Sequence, residues 1–326
     1  RLAFRVMNTY KNFNIVAIND LSDTKTLAHL LKYDSAHGRF TDNKNQLIEV
    51  NSDDSHIIVA GQKIEVFKEL DPIKLPWKNL RVDIVVECTG IFTTKEKASA
   101  HIKAGAKKVL ISAPAGNDLP TIVYNVNHET LKISDNIVSA ASCTTNALAP
   151  MAKVLEDEFG IKLGFMNTIH GYTADQNLQD GPHRDLRRAR AACASIIPTS
   201  TGAAAAIGLV IPSLSGKLAG LAMRVPTIVG SIVDLTVILN KDASVKKINE
   251  VMKKAANKNP SFSYQEDPIV SSDVIGESHG SIFDPGLTLE LSSEGQKSFK
   301  VFAWYDNEYS YVSQFVRVVE LMSKEI

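Results

Sequence analysis

Hydrophobic residues over the first 140 positions fall into short continuous runs separated by helical stretches. "NIVAIND" (Asn14–Asp20), "VDIVVECTG" (Val82–Gly90) and "KKVLISA" (Lys107–Ala113) are strand-length runs, while Leu2–Met7 reads as the end of a helix and "KEKASAHIKAGA" as another that stops near Gly105. Continuous Val/Ile runs alternating with helices predict a parallel sheet covered on both faces. Ligands of such sheets lie beyond the carboxyl ends of the strands. Those ends carry Asn19, Asp20, Thr89, Gly90 and Ser112, which are acidic, small or polar as a nucleotide crevice requires.

The pattern changes after about Cys143. Leu148, Met151, Val154, Leu155 and Phe159 share one side of a helix from about Asn146 to Phe159, with Gly160 as its stop. Strand-like runs follow: "IKLGFMNTIH", "LAGLAMRVP", "SIVDLTVIL", "LTLELSS" and "SFKVFAWYD". Most are joined by loops, which predicts an antiparallel sheet. One helix, "DASVKKINEVMKKAANK", interrupts them with Val245, Ile248, Val251 and Met252 inward, and a last helix begins near Asn307. The expected fold is an α/β doubly wound parallel sheet over 1–142, joined by the terminal helix 307–326, plus an α+β domain with an antiparallel sheet over 143–306.

The 326 residues carry 36 basic and 36 acidic side chains, so the chain has no net charge and is long enough for two cores. Neutrality argues against general nucleic-acid affinity. No apolar run approaches a membrane span, and no secretory signal is recognisable. Cys88, Cys143 and Cys193 are an odd number at wide spacing, neither a disulfide framework nor a zinc pattern. Free thiols point to a reducing compartment, so the cytoplasm is expected.

One cysteine stands apart. In "ASCTTNALAP", Cys143 opens a helix among Ser142, Thr144 and Thr145. Unpaired N–H groups and the helix dipole should lower its pKa and make it a nucleophile. The plainer alternative is a buried structural thiol, the reading given to Cys88 and Cys193. His170, at the end of "NTIH", is the candidate base; a hydrogen-bonded structural histidine is the alternative. The other histidines, His101 among them, lie in polar or helical surface-like contexts. Arg224 sits on an otherwise apolar strand and should meet an anion, either a protein carboxylate or a phosphate. Thr201 and Gly202 precede an Ala-rich helix, which suits a phosphate or a simple cap. The cluster "HRDLRRARAA" reads as a solvated or interface face.

With these residues in place, the sequence resembles phosphorylating glyceraldehyde-3-phosphate dehydrogenase. "SCTTN", "HGYTADQ", "STGAA", "RVP" and "WYDNEYSY" occur in that family's order, and "KYDSAHGRF" and "SSD…SIFD" also match. The loop "PHRDLRRARAA" is closest to the bacterial version. The resemblance covers essentially the whole chain and implies a Rossmann-type NAD-binding domain and a catalytic domain. It implies that Cys143 is the nucleophile and that His170 activates it. Ser142, Thr144, Thr201 and Gly202 resemble the site for inorganic phosphate; Thr173, Asp175 and Arg224 that for the phosphate of glyceraldehyde 3-phosphate. Arg188 matches a loop arginine near the phosphates. Asp20 resembles the acid on the adenosine ribose, which with Pro182 favours NAD as cofactor, and Ser112 and Asn307 match positions near the nicotinamide. The implied reaction is the glycolytic oxidation of the aldehyde through a thiohemiacetal and a thioester, in a homotetramer whose loop Thr173–Pro198 packs on a neighbour.

Some features depart from the family. Its first strand and Gly-rich turn have no counterpart, since Arg1–Phe4 match the helix that follows them. A fragment with its N-terminal segment cut off is the expectation and a natural degenerate member the alternative. Leu70 stands where many members carry arginine, Ala141 where asparagine is common, and Ile228-Val229-Gly230 replaces a Pro-Asn-Val type sequence. Two other activities remain open: erythrose-4-phosphate dehydrogenase within the same family, and a Cys-His thiol hydrolase or acyltransferase. A non-catalytic binding protein is a third possibility.

Overall fold

Short parallel strands and long, mostly antiparallel ones segregate along the chain, which a computed structural model describes at every residue but Glu325. They form two compact units: Arg1–Pro120 with Lys132–Ser139 and Phe315–Ile326, and Thr121–Leu131 with Ala140–Gln314.

The first unit holds α1 (Leu2–Met7), β1 (Ala17–Asn19), α2 (Thr24–Lys32), the small hairpin β2 (Tyr33–Asp34) and β3 (Gly38–Arg39), β4 (Val50–Ser52), β5 (His56–Val59), β6 (Gln62–Phe67), β7 (Ile84–Glu87), α3 (Lys95–Lys103), β8 (Lys108–Ile111) and β9 (Ile137–Ser139). Asp23 starts α2 by accepting the Thr26 N–H at 2.8 Å, and Thr94 caps α3 in the same way. The expected parallel strands are present, in two sheets ordered β1-β6-β5-β4 and β7-β8-β9. β1 runs parallel to β6, and β7, β8 and β9 are all parallel. β8, central in its sheet, is buried throughout, whereas most of β1 and β7, each at a sheet edge, is only half-buried.

The second unit contains α4 (Cys143–Phe159), β10 (Ile161–Gly171), β11 (Ile197–Ser200), α5 (Ala203–Val210), β12 (Leu218–Val225), β13 (Ser231–Leu239), α6 (Val245–Ala256), β14 (Phe262–Tyr264), β15 (Ser281–Phe283), β16 (Leu289–Ser293) and β17 (Gln296–Tyr305). The terminal helix α7 (Tyr309–Ser323) begins in this unit and ends in the first. Its expected extension to 326 crosses Glu325, outside the described residues. The sheet order is β11-β12-β10-β13-β17-β15-β14, with β16 on β17. Most pairs are antiparallel as expected, but β10 pairs β12 and β14 pairs β15 in parallel. The chain between β10 and β12 includes β11 and α5, long enough for a crossover that short loops do not permit. Leu148, Met151 and Leu155 of α4 are fully buried with Val233, Leu235 and Val301 of the sheet. On the strands, residues of opposite pleat remain outside: Phe165 is 67% exposed while the adjacent Met166 is buried.

α4 opens at Cys143, where the Ser142 hydroxyl caps it by accepting the Thr145 N–H at 3.1 Å. Just before it, the fully buried Ala141 has φ 58°, a left-handed conformation that a Cβ makes costly. That turn brings the chain from β9 into the helix and sets Cys143 as its first residue. Among the described residues no helix is long and apolar enough to cross a membrane, and no acid, His and Cys cluster could hold a metal.

Candidate active site

The central strand β10 fixes the geometry. Register places His170, its penultimate residue, directly beside Arg224 of β12. Nε2 of His170 lies 3.3 Å from Cys143 Sγ at the start of α4. Its other nitrogen, Nδ1, has two suitors: the Gly171 carbonyl at 2.6 Å and Nη1 of Arg224 at 2.8 Å. Arg224 Nη1 also reaches the same carbonyl at 3.2 Å. Nδ1 cannot donate to the carbonyl and accept from the guanidinium at once. If it donates, Nε2 presents a lone pair to sulfur and is a base. If it accepts, Nε2–H faces sulfur and can support a thiolate. Arg224 therefore has one hand on the tautomer of His170, and its own Nε is buried without a partner.

The expected lowering of the Cys143 pKa is not found. Burial pushes the thiol up; Arg224 and the Thr144 hydrogen bonds pull it down by less. Burial, reinforced by Arg224, pushes His170 down to about 3. The resting pair is thus a neutral thiol beside a neutral imidazole: the helix terminus is a local effect, and sulfur's removal from water outweighs it.

The remaining residues on this unit are placed as follows. The Thr144 hydroxyl is buried against Tyr305 Oη at 2.9 Å, and the Ser142 hydroxyl serves the α4 cap. Asp175 pairs with Arg188, whose Nε donates to Thr199 at 2.8 Å, and Asp185 lies 3.5 Å from that nitrogen. Arg188 is thus tied to Asp175, which the resemblance groups with Arg224. Thr173 N–H meets Gln176 Oε1 at 3.2 Å. Thr201 accepts the Ala203 N–H, and Gly202 is the N-cap of α5. Asn307 Oδ1 accepts from Gly230 N–H and Ser231 Oγ–H, buttressing the sheet end beside Gly171. Cys88 and Cys193 are exposed rather than packed, and Arg224 meets a histidine and a carbonyl instead of a carboxylate.

In the first unit Asn19, Asp20, Thr89, Gly90 and Ser112 occupy the carboxyl ends of β1, β7 and β8. Asn19 spends its amide on the backbone of Glu69, at 2.9 Å for both bonds. Asp20 is exposed and accepts the Ser22 N–H through one oxygen. Gly90 has φ 72° and open space where a Cβ would lie. An accessible carboxylate and a glycine turn that lets a ligand approach the backbone fit a dinucleotide.

Comparison with known proteins decides the family. The model of the glyceraldehyde 3-phosphate dehydrogenase NAD-binding domain matches residues 1–95, and that of the C-terminal domain matches 142–307. Glyceraldehyde-3-phosphate dehydrogenase of Clostridium pasteurianum is 56% identical over 326 residues, covering 99% of this chain and 95% of the relative. That of Mycoplasma pneumoniae is 58% identical over 325 residues, covering 99% and 94%. The chain belongs to the glyceraldehyde-3-phosphate dehydrogenase family. It is accordingly an NAD-dependent oxidoreductase with a Rossmann-type cofactor domain, as the sequence motifs imply.

Sequence reasoning missed one participant in this dehydrogenase site. Tyr305, at the end of β17, is fully buried and its hydroxyl joins Thr144 at 2.9 Å to Thr168 at 2.8 Å. Its ring meets His170 edge-on at 5.9 Å. Burial raises its pKa, so the hydroxyl stays protonated. Its one sequence signal is its place in "WYDNEYSY", two residues before Asn307.

Proposed function

We propose that this enzyme oxidises glyceraldehyde 3-phosphate to 1,3-bisphosphoglycerate with Cys143 as nucleophile and His170 as the proton-moving group. The observation that carries the reading is the 3.3 Å approach of Sγ to Nε2 next to the half-buried Arg224. With both groups neutral at rest, His170 Nε2 takes the thiol proton as sulfur bonds to the aldehyde carbon. The Cys143 N–H at the helix start and the protonated Nε2 then face the developing oxyanion, to which Nε2 returns its proton, giving the thiohemiacetal hydroxyl. His170, neutral again, accepts that hydroxyl proton as the carbon is oxidised. Asp20, Thr89, Gly90 and Ser112, with Asn19 holding the strand end, would hold NAD, which when bound supplies the acceptor for the hydride. Phosphate attacks the resulting thioester, the acyl–sulfur bond breaks, and Cys143 regains its proton from His170.

Arg224, with Thr173 and Asp175, suits the substrate's phosphate. Asp175 contributes by holding Arg188, since a carboxylate repels an anion directly. Inorganic phosphate is assigned to the region of Ser142, Thr144, Thr201, Gly202 and Arg188. Because the hydroxyls of Ser142 and Thr144 are engaged, backbone N–H groups and Arg188 carry most of that interaction.

The test is NAD reduction by the full chain. Dependence on both aldehyde and phosphate is expected; aldehyde-ester hydrolysis without NAD reduction would favour the hydrolase reading. Faster turnover of erythrose 4-phosphate than of the three-carbon substrate would favour the sister activity. A homotetramer in the cytoplasm completes the proposal. Leu163, Phe165 and Leu221 leave an apolar patch on one sheet face, which association would cover. Light scattering that gives a monomer at micromolar concentration would overturn that part.

A further inference from the structure

Glu87 is a buried carboxylate that the chemistry above does not use. It ends β7, with one residue between it and Thr89, and its side chain is 3% exposed. The donors around it leave no freedom. Trp77 Nε1–H, which can only donate, meets His101 Nδ1 at 3.1 Å. Nδ1 must therefore accept, and Nε2–H must donate to Glu87 Oε2, at 2.9 Å. The other carboxylate oxygen, Oε1, accepts both the N–H of Thr89, at 2.7 Å, and its hydroxyl. That hydroxyl in turn accepts the Ile91 N–H at 3.1 Å. Two donor chains thus converge on the carboxylate, one from the indole through His101 and one from the Ile91 N–H through the Thr89 hydroxyl.

A carboxylate in such a place is costly unless every lone pair is used. Burial pushes Glu87 up, while the bonds from His101 and Thr89 together bring it below the ordinary range. A neutral side chain of similar shape would spare the burial cost, but it could not accept from His101 and from Thr89 together. What the charge secures is the conformation of the turn: the positive φ of Gly90 and the direction of the Thr89 and Gly90 backbone.

We propose that Glu87 is a positioning residue for the dinucleotide: relayed through His101 to Trp77, its carboxylate fixes the Thr89–Gly90 turn on which NAD rests. This rests on the assignment of Thr89 and Gly90 to the cofactor site. Glu87→Gln makes the relay inconsistent. The new amide can keep its oxygen toward Thr89, but its NH2 then opposes His101 Nε2–H. The ring cannot change tautomer, because Nδ1–H would then oppose the indole. Removing that donor with Trp77→Phe frees the tautomer and lets Nε2 accept.

The experiment is calorimetric titration of the full chain with NAD in the absence of aldehyde. Cys143 alkylation by iodoacetamide and Tm are read alongside. Glu87→Gln is expected to raise the NAD Kd about tenfold, the worth of one charged hydrogen bond, with the alkylation rate of the apoenzyme unchanged. Adding Trp77→Phe should recover part of the affinity, which a merely structural loss would not do. A lowered Tm with Kd unchanged in Glu87→Gln, while Gly90→Ala weakens NAD binding, overturns the positioning role and leaves the cofactor assignment standing. If Gly90→Ala is also without effect, or the unsubstituted chain binds no NAD, the assignment itself fails. Should Glu87→Gln not fold, Thr89→Val removes the hydroxyl that donates to Glu87 and accepts from the Ile91 N–H, and an unchanged Kd in that variant overturns the proposal.

Discussion

His101 and His170 are both almost fully buried, yet one has a single possible arrangement of protons and the other has two. His101 stands between a donor that can only donate and a carboxylate that can only accept. His170 stands between a thiol that can do either and an Nδ1 environment offering both a carbonyl and a guanidinium. A histidine that holds a turn benefits from having one answer. A histidine that must take and return a proton has to present either a lone pair or an N–H to sulfur, and Arg224 beside Gly171 leaves both arrangements open.

Substitution should separate the two roles most sharply. His170→Asn should lower kcat/KM by about 10²–10⁴-fold with little change in NAD Kd. His101→Asn should leave Cys143 alkylation intact and cost about 2 kcal/mol of stability, as Glu87 loses a buried donor. Steady-state rates and urea denaturation check both, and equal catalytic losses would erase the distinction.

Acid gives the next largest effect. The folded protein holds His170 near 3, against 6.5 for an ordinary imidazole, through burial and Arg224. Between those values the unfolded chain binds a proton that the folded one refuses. The resulting stability is complete above 6.5 and is lost as pH falls toward 3. By pH 4.5 the loss from this ring alone is roughly 3 kcal/mol. Glu87 acts in the same direction, because its carboxyl is depressed. The difference between wild type and His170→Asn in urea denaturation at pH 7 and 4.5 isolates the ring; equal pH dependence would contradict the neutral pair.

The smallest effect tests the turn that aims Cys143. Ala141→Gly should relieve the left-handed conformation and raise stability by about 1 kcal/mol, less the entropy of a glycine in the unfolded chain. A thermal shift downward would mean that the Ala141 methyl group packs better than its backbone is strained.

Much of this was legible along the chain. Cys143 was found because hydroxyl residues and an apolar helical pattern meet there, and the strand ends Asp20, Thr89 and Ser112 because apolar runs stop at them. What was not legible depends on partners distant in sequence. The adjacency of His170 and Arg224 follows from a parallel pairing that loop counting does not suggest. The thiol's pKa moved the other way because helix termini are visible locally and burial is not. His101 read as a surface helix residue because "KEKASAHIK" is mostly charged or polar; only the packing of Trp77 and Glu87 around one of its positions reveals the buried side.

β10 has neighbours along both edges, β12 on one side and β13 on the other. Its amides should therefore exchange with solvent only through the largest openings of the unit, among the slowest in the molecule. The imidazole at its end inherits that permanence. Warming or mild denaturant that frays terminal strands such as β11 or β14 leaves the Nε2 position unchanged, so the base outlasts much of the structure around it. Gradual loss of activity under such stress then reports on the loops and on the dinucleotide unit, while loss of the base itself arrives all at once.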